Sequence, residues 1–538
     1  MTRTDRPAEA QGYPLEEDGA SDNDYDLLPY VSMPFAYSQP ARLAAMGALH
    51  GLDAPNADRA RVLELGCASG GNLVPLAARF PHARFLGLDL SRQHVDHGRR
   101  RIAGLGLSNI EIRQADIADA GLAGETFDYV LCHGVFSWVP RVVQEAIFAI
   151  CNRHLSAEGM AVISYNVLPG WHLRNVVRGI CLPHAGTGGA PQERVARARA
   201  ILSDVAKTTD PALPYGHVVR SEAARLAKRP ASYILGEFLA PCNDPCTFGA
   251  FAGRAAAFGL AYLCEADLPS SAPESSAPQA AAQTRAYAGT SDRLLQEYTD
   301  VFSGRTFRRS ILVRAERTPL LAQPAQSHLA GLHFAAALQA DALRKTERGS
   351  AFIDPAGRRF VVSDPAMGRA VARLAARFPA TATLQELADS QPDGTLCDGP
   401  QAAKAVFKLL TTGRASVASL PLHCGVASAT RPCLWPLARR EIATGQPWVT
   451  SQRHLSVLLT PTLRLLLPLM DGTRDRAVLA KHLSNAVRSG TFKITTEGDP
   501  SMAHDDPHLD EVCTSTVVRA IEHAARNALL ASEEPASQ

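Results

Sequence analysis

Residues 64–72 read ELGCASGGN and decide the fold of the chain. They follow an apolar run at 61–65 (RVLEL) that is typical of a buried strand, and they lead into a segment at 72–80 with helical apolar spacing. Gly66 allows a tight turn, and Gly70 lets the main chain approach a ligand closely. A glycine-rich turn between a strand and a helix is the nucleotide-binding element of doubly wound α/β domains.

Strand-like and helix-like segments alternate after this turn, which predicts βαβ units and a parallel sheet with helices on both faces. The predicted strands are 84–90, 110–113, 129–132 and 160–165, and the predicted helices are 91–104, capped by Ser91, and 140–154. Two later strand-like runs are expected to close the same sheet as an antiparallel pair at its edge, namely 258–268 and 306–315.

The chain has 538 residues, more than one hydrophobic core of about 250–300 residues accommodates. We therefore predict several regions: a disordered arm at 1–24, a Rossmann-like core at 25–166, a helical insertion with the last two strands at 167–318, and a C-terminal α+β region at 330–538. An Ala/Ser/Pro-rich stretch at 269–282 is predicted to be a linker. In the last region, the turn DPAG at 354–357 between two short strand-like runs predicts a hairpin, and hairpins mixed with short helices favour a winged-helix-like fold.

Composition argues against several classes of protein. The 55 basic and 53 acidic residues give a net charge of +2, so no nucleic-acid partner is expected. A polar start and the lack of a long apolar run predict a cytoplasmic protein without membrane insertion. The 11 cysteines lack paired spacing, and the nearest pair, Cys242 and Cys246, has no further ligands beside it, so we expect no metal.

Acidic residues at the ends of three strands indicate which nucleotide binds. Asp89 ends the second strand about 20 residues after the glycine turn, where an acid accepts ribose hydroxyls. Ala68 stands where a dinucleotide site has glycine, and the Glu64 carboxylate disfavours phosphate but favours a cationic sulfonium and an α-amino group. Asp116, after the third strand, is placed to accept from an adenine amino group. These features favour S-adenosylmethionine.

The arrangement resembles the class I S-adenosylmethionine-dependent methyltransferases, whose first motif is an acid followed by alternating glycines. By position, the resemblance implies three groups of cofactor-binding residues. They are Glu64, Gly66, Ala68 and Gly70 at the methionine end, Asp89 at the ribose, and Leu90, Asp116 and Ile117 at the adenine. We also count Asn72 and His133 among the candidate cofactor-binding residues.

A closer resemblance links widely separated segments of the chain. They are 29–40 (PYVSMPFAYSQP), 132–140 (CHGVFSWVP), 164–171 (SYNVLPGW), 232–237 (SYILGE), 304–307 (GRTF) and 469–476 (LMDGTRDR). Together they resemble bacterial methyltransferases with a methyltransferase regulatory domain, a group that includes protein-lysine methyltransferases of outer-membrane proteins. The resemblance implies a protein substrate, with an outer-membrane protein as a candidate, and the helical insertion would cover the active site. A homodimer through the C-terminal region is a further hypothesis.

Candidate catalytic residues follow the fourth and fifth strands, on the substrate side of the sheet. His133 is a base, an adenosyl contact or a loop residue. Phe136 and Trp138 either steer an amine or pack the next helix against the sheet. Tyr165 is expected to point its polar tip into the cleft, and we name His133, Trp138 and Tyr165 as positioning residues.

Three functions remain open from the sequence. The first is a protein N-methyltransferase, in which burial among aromatic rings lowers the pKa of a lysine and positioning replaces a base. The second is a small-molecule O- or N-methyltransferase, because the fold says nothing about the acceptor. The third is a regulator without activity, which the intact Glu64, Gly66, Gly70 and Asp89 argue against.

Overall fold

A seven-stranded sheet forms the centre of the molecule. The computed structural model describes residues 32–341, 349–390, 396–494 and 506–532, and the predicted arm at 1–24 lies outside them. The strands of the central sheet are β1 (Arg61–Leu65), β2 (Arg84–Asp89), β3 (Ile110–Gln114), β4 (Phe127–Cys132), β5 (Leu155–Asn166), β6 (Leu260–Glu265) and β7 (Phe307–Arg314). Their order is β3-β2-β1-β4-β5-β7-β6.

The strands pair as the sequence predicts. β1 to β5 run parallel, while β7 pairs antiparallel with both β5 and β6. The antiparallel pair at the edge is therefore confirmed. In β1, the four residues after Arg61 are buried, as expected for a central parallel strand covered on both faces.

Helices cover both faces of the sheet and form the insertion. In the first half they are α1 (Pro40–Leu49), α2 (Leu73–Arg79), α3 (Arg92–Leu105), α4 (Arg141–His154), α5 (His172–Ala185), α6 (Pro191–Thr208), α7 (Pro214–Ala227), α8 (Ala231–Phe238), α9 (Phe248–Ala257), α10 (Pro273–Ser276), α11 (Ala281–Ala288) and α12 (Asp292–Ser303). The Ser91 hydroxyl caps α3 by accepting from the His94 N–H, which confirms the predicted cap, and Gly106 ends the helix with φ 66°.

The prediction that residues 269–282 form a linker is wrong. Short helical turns occupy Leu268–Ser271, Pro273–Ser276 and Pro278–Ala280, and each has a proline in its first turn. The fixed φ of proline favours a helix start, because the missing N–H has no partner there in any case. Proline-rich composition therefore marks helix starts here and not an extended connection.

The C-terminal half contains small sheets and further helices. Its elements are β8 (His333–Ala335), β9 (Gln339–Ala340), β10 (Ser350–Ile353), β11 (Arg359–Val362), α13 (Pro365–Arg377), α14 (Leu384–Leu387), β12 (Asp389–Ser390), β13 (Leu396–Cys397), α15 (Gly399–Thr411), β14 (Ser416–Ala418), α16 (Pro436–Ala443), β15 (Trp448–Thr450), β16 (Ser456–Leu458), α17 (Pro461–Leu466), α18 (Arg476–Arg488) and α19 (Leu509–Arg526). The hairpin predicted around 354–357 is confirmed, because β10 and β11 pair antiparallel across it. Within the described part of the chain, no helix is long and apolar enough to cross a bilayer.

The buried side chains divide this half in two. Those between 329 and 417 share one core with α1 and one face of the central sheet, whereas those between 434 and 530 form a core of their own. We call residues 434–530 the C-terminal module. The helical insertion also has a separate core, between 177 and 239.

Candidate functional site

The glycine turn after β1 has the geometry that the sequence predicts. Gly66 and Gly70 have φ of 69° and 72°, in the left-handed region where a Cβ is costly. A Cβ on Gly66 would lie 2.4 Å from Cγ2 of Val135, so the turn packs directly against the loop after β4. The N–H groups of Gly66 and Cys67 both donate to the carbonyl of Leu88, which ties the turn to β2.

Asp89 lies at the end of β2 and faces this turn. Its Oδ2 accepts from the Ala68 N–H at 2.7 Å, and its Oδ1 accepts from the Ser91 N–H at 3.0 Å. Ala68 has φ 48°, an unusual value for a residue with a Cβ. The structure therefore places Asp89 against the turn, and its contact with a ribose remains a prediction.

The residues predicted for adenine lie along one edge of the sheet. Leu90 has 60% of its surface exposed. Asp116 is exposed and its carboxylate accepts from the Ala118 N–H, while Ile117 is half-buried. The Gln114 amide joins the ends of β3 and β2 by donating to the carbonyl of Leu90. These positions are open to a ligand, and the adenine contacts remain a prediction.

Glu64 and Asn72 form a buried polar pair beneath the turn. Nδ2 of Asn72 donates to Oε1 of Glu64 at 2.9 Å, while Oε2 of Glu64 is buried without a hydrogen-bond donor among the described residues. Burial raises the pKa of Glu64 to about 8, and the bond from Asn72 opposes this shift. A cationic group placed at Oε2 would remove the cost of the unpaired acceptor.

The chain before α1 folds over the glycine turn, and we call residues 32–39 the strap. The Phe35 N–H donates to Oδ1 of Asn72 at 3.0 Å, and the Ser38 hydroxyl lies 2.9 Å from the same oxygen and 2.8 Å from the Phe35 carbonyl. The Gly71 N–H donates to the Ser32 hydroxyl, and a Cβ on Gly71 would lie 2.3 Å from the Ser32 carbonyl. The strap therefore needs glycine at this position in order to lie on the turn.

The strap also brings aromatic rings to His133, and we call Phe35, Tyr37, His133 and Phe307 the aromatic cluster. The Tyr37 hydroxyl contacts Nδ1 of His133. The ring centroids of Phe35 and Phe307 lie 3.9 and 5.9 Å from that of His133. The Arg309 guanidinium lies 4.8 Å from the centroid of the Tyr37 ring. Burial, together with Arg309, lowers the pKa of His133 to about 3, so the imidazole is neutral at pH 7 and a weak base.

Sequence reasoning missed the roles of Phe35, Tyr37 and Phe307 in this cluster. They lie in segments quoted above for the family resemblance, but they are far apart in the chain. A signal was present in the aromatic content of PFAYS at 34–38 and in GRTF at 304–307. Only the fold shows that these two segments meet beside His133.

Tyr165 was predicted to face the cleft, and this is wrong. Its side chain is 1% exposed, and its ring stacks on Phe251 with centroids 3.9 Å apart. Its hydroxyl lies 3.3 Å from that of Ser310, inside the core. The physical reason is that helices cover both faces of β5, so either side of the strand is interior.

Phe136 and Trp138 differ in their surroundings. Phe136 is fully buried against Phe148 and Phe251, so it packs the helix against the sheet. Trp138 is half-buried and meets Trp171 edge to face with ring centroids 5.9 Å apart. A positioning role for Trp138 stays a prediction.

In the described ranges, no three His, Cys, Asp or Glu side chains are grouped to hold a metal ion.

Three family models match the chain in order. A methyltransferase domain covers residues 62–159, a methyltransferase regulatory domain covers 230–314, and a PKMT C-terminal winged helix domain covers 430–529. The Rickettsia prowazekii protein RP028 is 32% identical over 232 residues, which are 43% of this chain and 93% of RP028. The chain belongs to the class I S-adenosylmethionine-dependent methyltransferases with a regulatory domain.

Two further proteins are similar to longer parts of the chain. The Rickettsia prowazekii protein RP789 is 36% identical over 295 residues, which are 54% of this chain and only 53% of RP789, so the match spans about half of that relative. The solved structure of PKMT2 from Rickettsia typhi in complex with AdoHcy has a TM-score of 0.80 at 22% identity, covering 93% of this chain and all of that one. This likeness shows that the two chains share a fold over most of the length of this chain.

Proposed function

We propose that this protein transfers methyl groups from S-adenosylmethionine to lysine side chains of a protein substrate. Two lines support the proposal. The chain carries a winged helix domain of the PKMT type after the methyltransferase domain, which is more protein than a metabolite requires. The aromatic cluster and Arg309 supply the surroundings that a neutral amine needs.

The buried pair beneath the glycine turn fits the methionine end of the cofactor. Oε2 of Glu64 is a buried acceptor without a donor among the described residues, and an α-amino group would supply one. Gly66 leaves no room for a Cβ, which keeps the turn tight against Val135. By the same assignment Asp89 would bind the ribose, with Leu90, Asp116 and Ile117 at the adenine. The cofactor supplies an electrophilic methyl group on a cationic sulfonium.

The observation that carries the lysine proposal is the charge beside the aromatic cluster. The Arg309 guanidinium lies over the Tyr37 ring, and His133 is held neutral. A free lysine has a pKa of about 10.4, and a nearby cation and apolar rings both favour its neutral form. Phe307 is 36% exposed, which leaves the cluster open on one side to a long aliphatic side chain. Positioning and desolvation would then supply catalysis without a base.

We extend the proposal from the family resemblance to three finer points. The substrate is an outer-membrane protein, methylation takes place in the cytoplasm, and the protein is a homodimer. Trp138, half-buried beside Trp171, would contribute to the path of the lysine towards the cluster.

Methyl-labelled S-adenosylmethionine tests the proposal. The protein is incubated with an unfolded outer-membrane protein fraction, and label is followed in protein bands, in peptides by mass spectrometry, and in an organic extract. We expect label on lysine, abolished by Asp89→Ala and unchanged by Asp96→Ala, a matched loss of a carboxylate on the exposed side of α3. Label in the organic extract alone would favour a small-molecule acceptor, and label on a different amino acid would refute the lysine assignment.

A further inference from the structure

The C-terminal module reaches into the cofactor site. The turn between β15 and β16, residues 451–455, lies against the start of α2 and the strap. His454 in this turn is 2% exposed, and its Nε2 lies 2.8 Å from Oδ1 of Asn72. These two residues are 382 positions apart in the chain.

Two further bonds seat the turn between β15 and β16. The Arg79 guanidinium, at the end of α2, donates to the carbonyl of Gln452. The Gln39 amide of the strap donates to the carbonyl of Arg453 at 3.2 Å. Residues 451–455 therefore contact both α2, which follows the glycine turn, and the strap, which lies over it. His454 is the residue among them that touches Asn72.

The backbone of His454 is held in an unfavourable conformation. Its φ is 59°, in the left-handed region that residues other than glycine rarely adopt, and its N–H donates to the Ser451 carbonyl. Such conformations persist when surrounding contacts enforce them, and they often occur at functional sites. Here the conformation directs the imidazole towards Asn72.

The protonation of His454 defines the direction of the bond. Burial and the nearby Arg79 lower the pKa of His454 to about 3, so the ring is neutral. The Phe35 main-chain N–H can only donate, so the Asn72 atom that it meets is the oxygen. Nε2 of His454 must then carry the hydrogen, and Nδ2 of Asn72 must face Glu64.

We propose that His454 is a positioning residue of the cofactor site, acting through Asn72 on Glu64. It makes the C-terminal module part of the site, so that docking of the module and binding of the cofactor stabilise each other. This inference rests on the role proposed above for Glu64. It gives the C-terminal module a function in binding the cofactor.

Calorimetric titration with S-adenosylhomocysteine tests the inference on the full chain. His454→Gly keeps the backbone conformation but removes the donor, and should weaken binding about three- to tenfold, the worth of one hydrogen bond. His454→Gln restores an N–H donor of similar reach and should recover most of the loss. Arg440→Ala removes an exposed bond from α16 to the Gly104 carbonyl, between the same two parts of the chain, and should leave binding within twofold.

Hydrogen exchange supplies a second readout without turnover. Binding of S-adenosylhomocysteine should slow exchange of the amides at 451–455 in the wild type and much less in His454→Gly. Thermal melting checks that each variant folds. If His454→Gly does not fold, His454→Asn, which tolerates the same φ but is too short to reach Asn72, decides instead.

Three results would overturn the inference. If His454→Gly binds S-adenosylhomocysteine as tightly as the wild type does, the bond between His454 and Asn72 has no role in binding. An equal loss in Arg440→Ala would show general loosening between the two parts of the chain. Wild-type protein that does not bind S-adenosylhomocysteine at all would refute the proposed function, and the inference with it.

Discussion

Binding of the cofactor should release a proton from Glu64. The pKa of this carboxyl is about 8 in the free protein, so roughly nine in ten molecules carry the proton at pH 7. A cationic amino group at Oε2 favours the carboxylate and lowers that pKa. We therefore expect about 0.9 proton to leave Glu64 for each cofactor bound at pH 7.

Calorimetry in buffers of different ionisation enthalpy measures this proton. The slope of the observed binding enthalpy against the buffer enthalpy gives the net number released. An α-amino group has a pKa of about 7.7–8.0, so the ligand takes up roughly 0.1–0.2 proton in the opposite direction. Glu64→Gln keeps an acceptor for Asn72 and cannot titrate, so the wild type should release about 0.9 proton more than this variant.

The affinity should follow the same linkage. Between pH 6 and pH 7 Glu64 of the free protein stays largely protonated, so the wild-type dissociation constant should fall about eight- to tenfold over this unit. The constant of Glu64→Gln should stay nearly flat. Equal proton release by wild type and variant, with parallel affinity profiles, would show that Glu64 does not meet the cationic group.

The same pKa shift predicts a stability effect in the free protein. The pKa of Glu64 is raised above its ordinary value of 4.5, so its contribution to folding is fully present below pH 4.5 and is lost as the pH rises through about 8. The melting temperature of Glu64→Gln minus that of the wild type should therefore be larger at pH 9 than at pH 5. A constant difference between the two melting temperatures would contradict the raised pKa.

Three further substitutions separate the site from the core. Gly66→Ala should abolish cofactor binding in calorimetry. It should also lower the free energy of unfolding in denaturant titration by about 1–2 kcal/mol, because a residue with a Cβ is strained at the φ of 69°. Unchanged binding would contradict the tight turn. Arg308→Met should lower the free energy of unfolding by about 3–5 kcal/mol in the same titration. The buried guanidinium pairs with Glu265, and its loss leaves a buried carboxylate without that cation. A decrease below about 1 kcal/mol would refute this reasoning. Tyr165→Phe should keep kcat and lose about 1 kcal/mol with the bond to Ser310, and a large fall in kcat would restore Tyr165 to the site.

The sheet could be predicted from the sequence because its signals are local. The run RVLEL, the turn ELGCASGGN and the acid Asp89 lie within about 30 residues, the size of one βαβ unit. Each strand of that unit shows its burial in its own apolar residues. The two strands that close the edge were also recognisable, because apolar runs flank the helical stretch between them.

Side-chain direction at the ends of strands was less predictable. Tyr165 ends β5 like a cleft residue, yet it stacks on Phe251 in the core. Alternation along a strand shows which residues share a face, but in a sheet covered on both sides it does not show which face is a cleft. The same limit applies to Phe136, for which the sequence left two interpretations open.

The sequence by itself determined the doubly wound sheet, the glycine turn and the positions of the acids that we propose for binding the cofactor. Each of these depends on residues close in the chain, whose conformational preferences act locally. Only the tertiary structure decided that Tyr37 meets His133 and that His454 of the C-terminal module donates to Asn72. Contacts over 96 and 382 positions leave no periodic trace, because they arise from the packing of whole elements against one another.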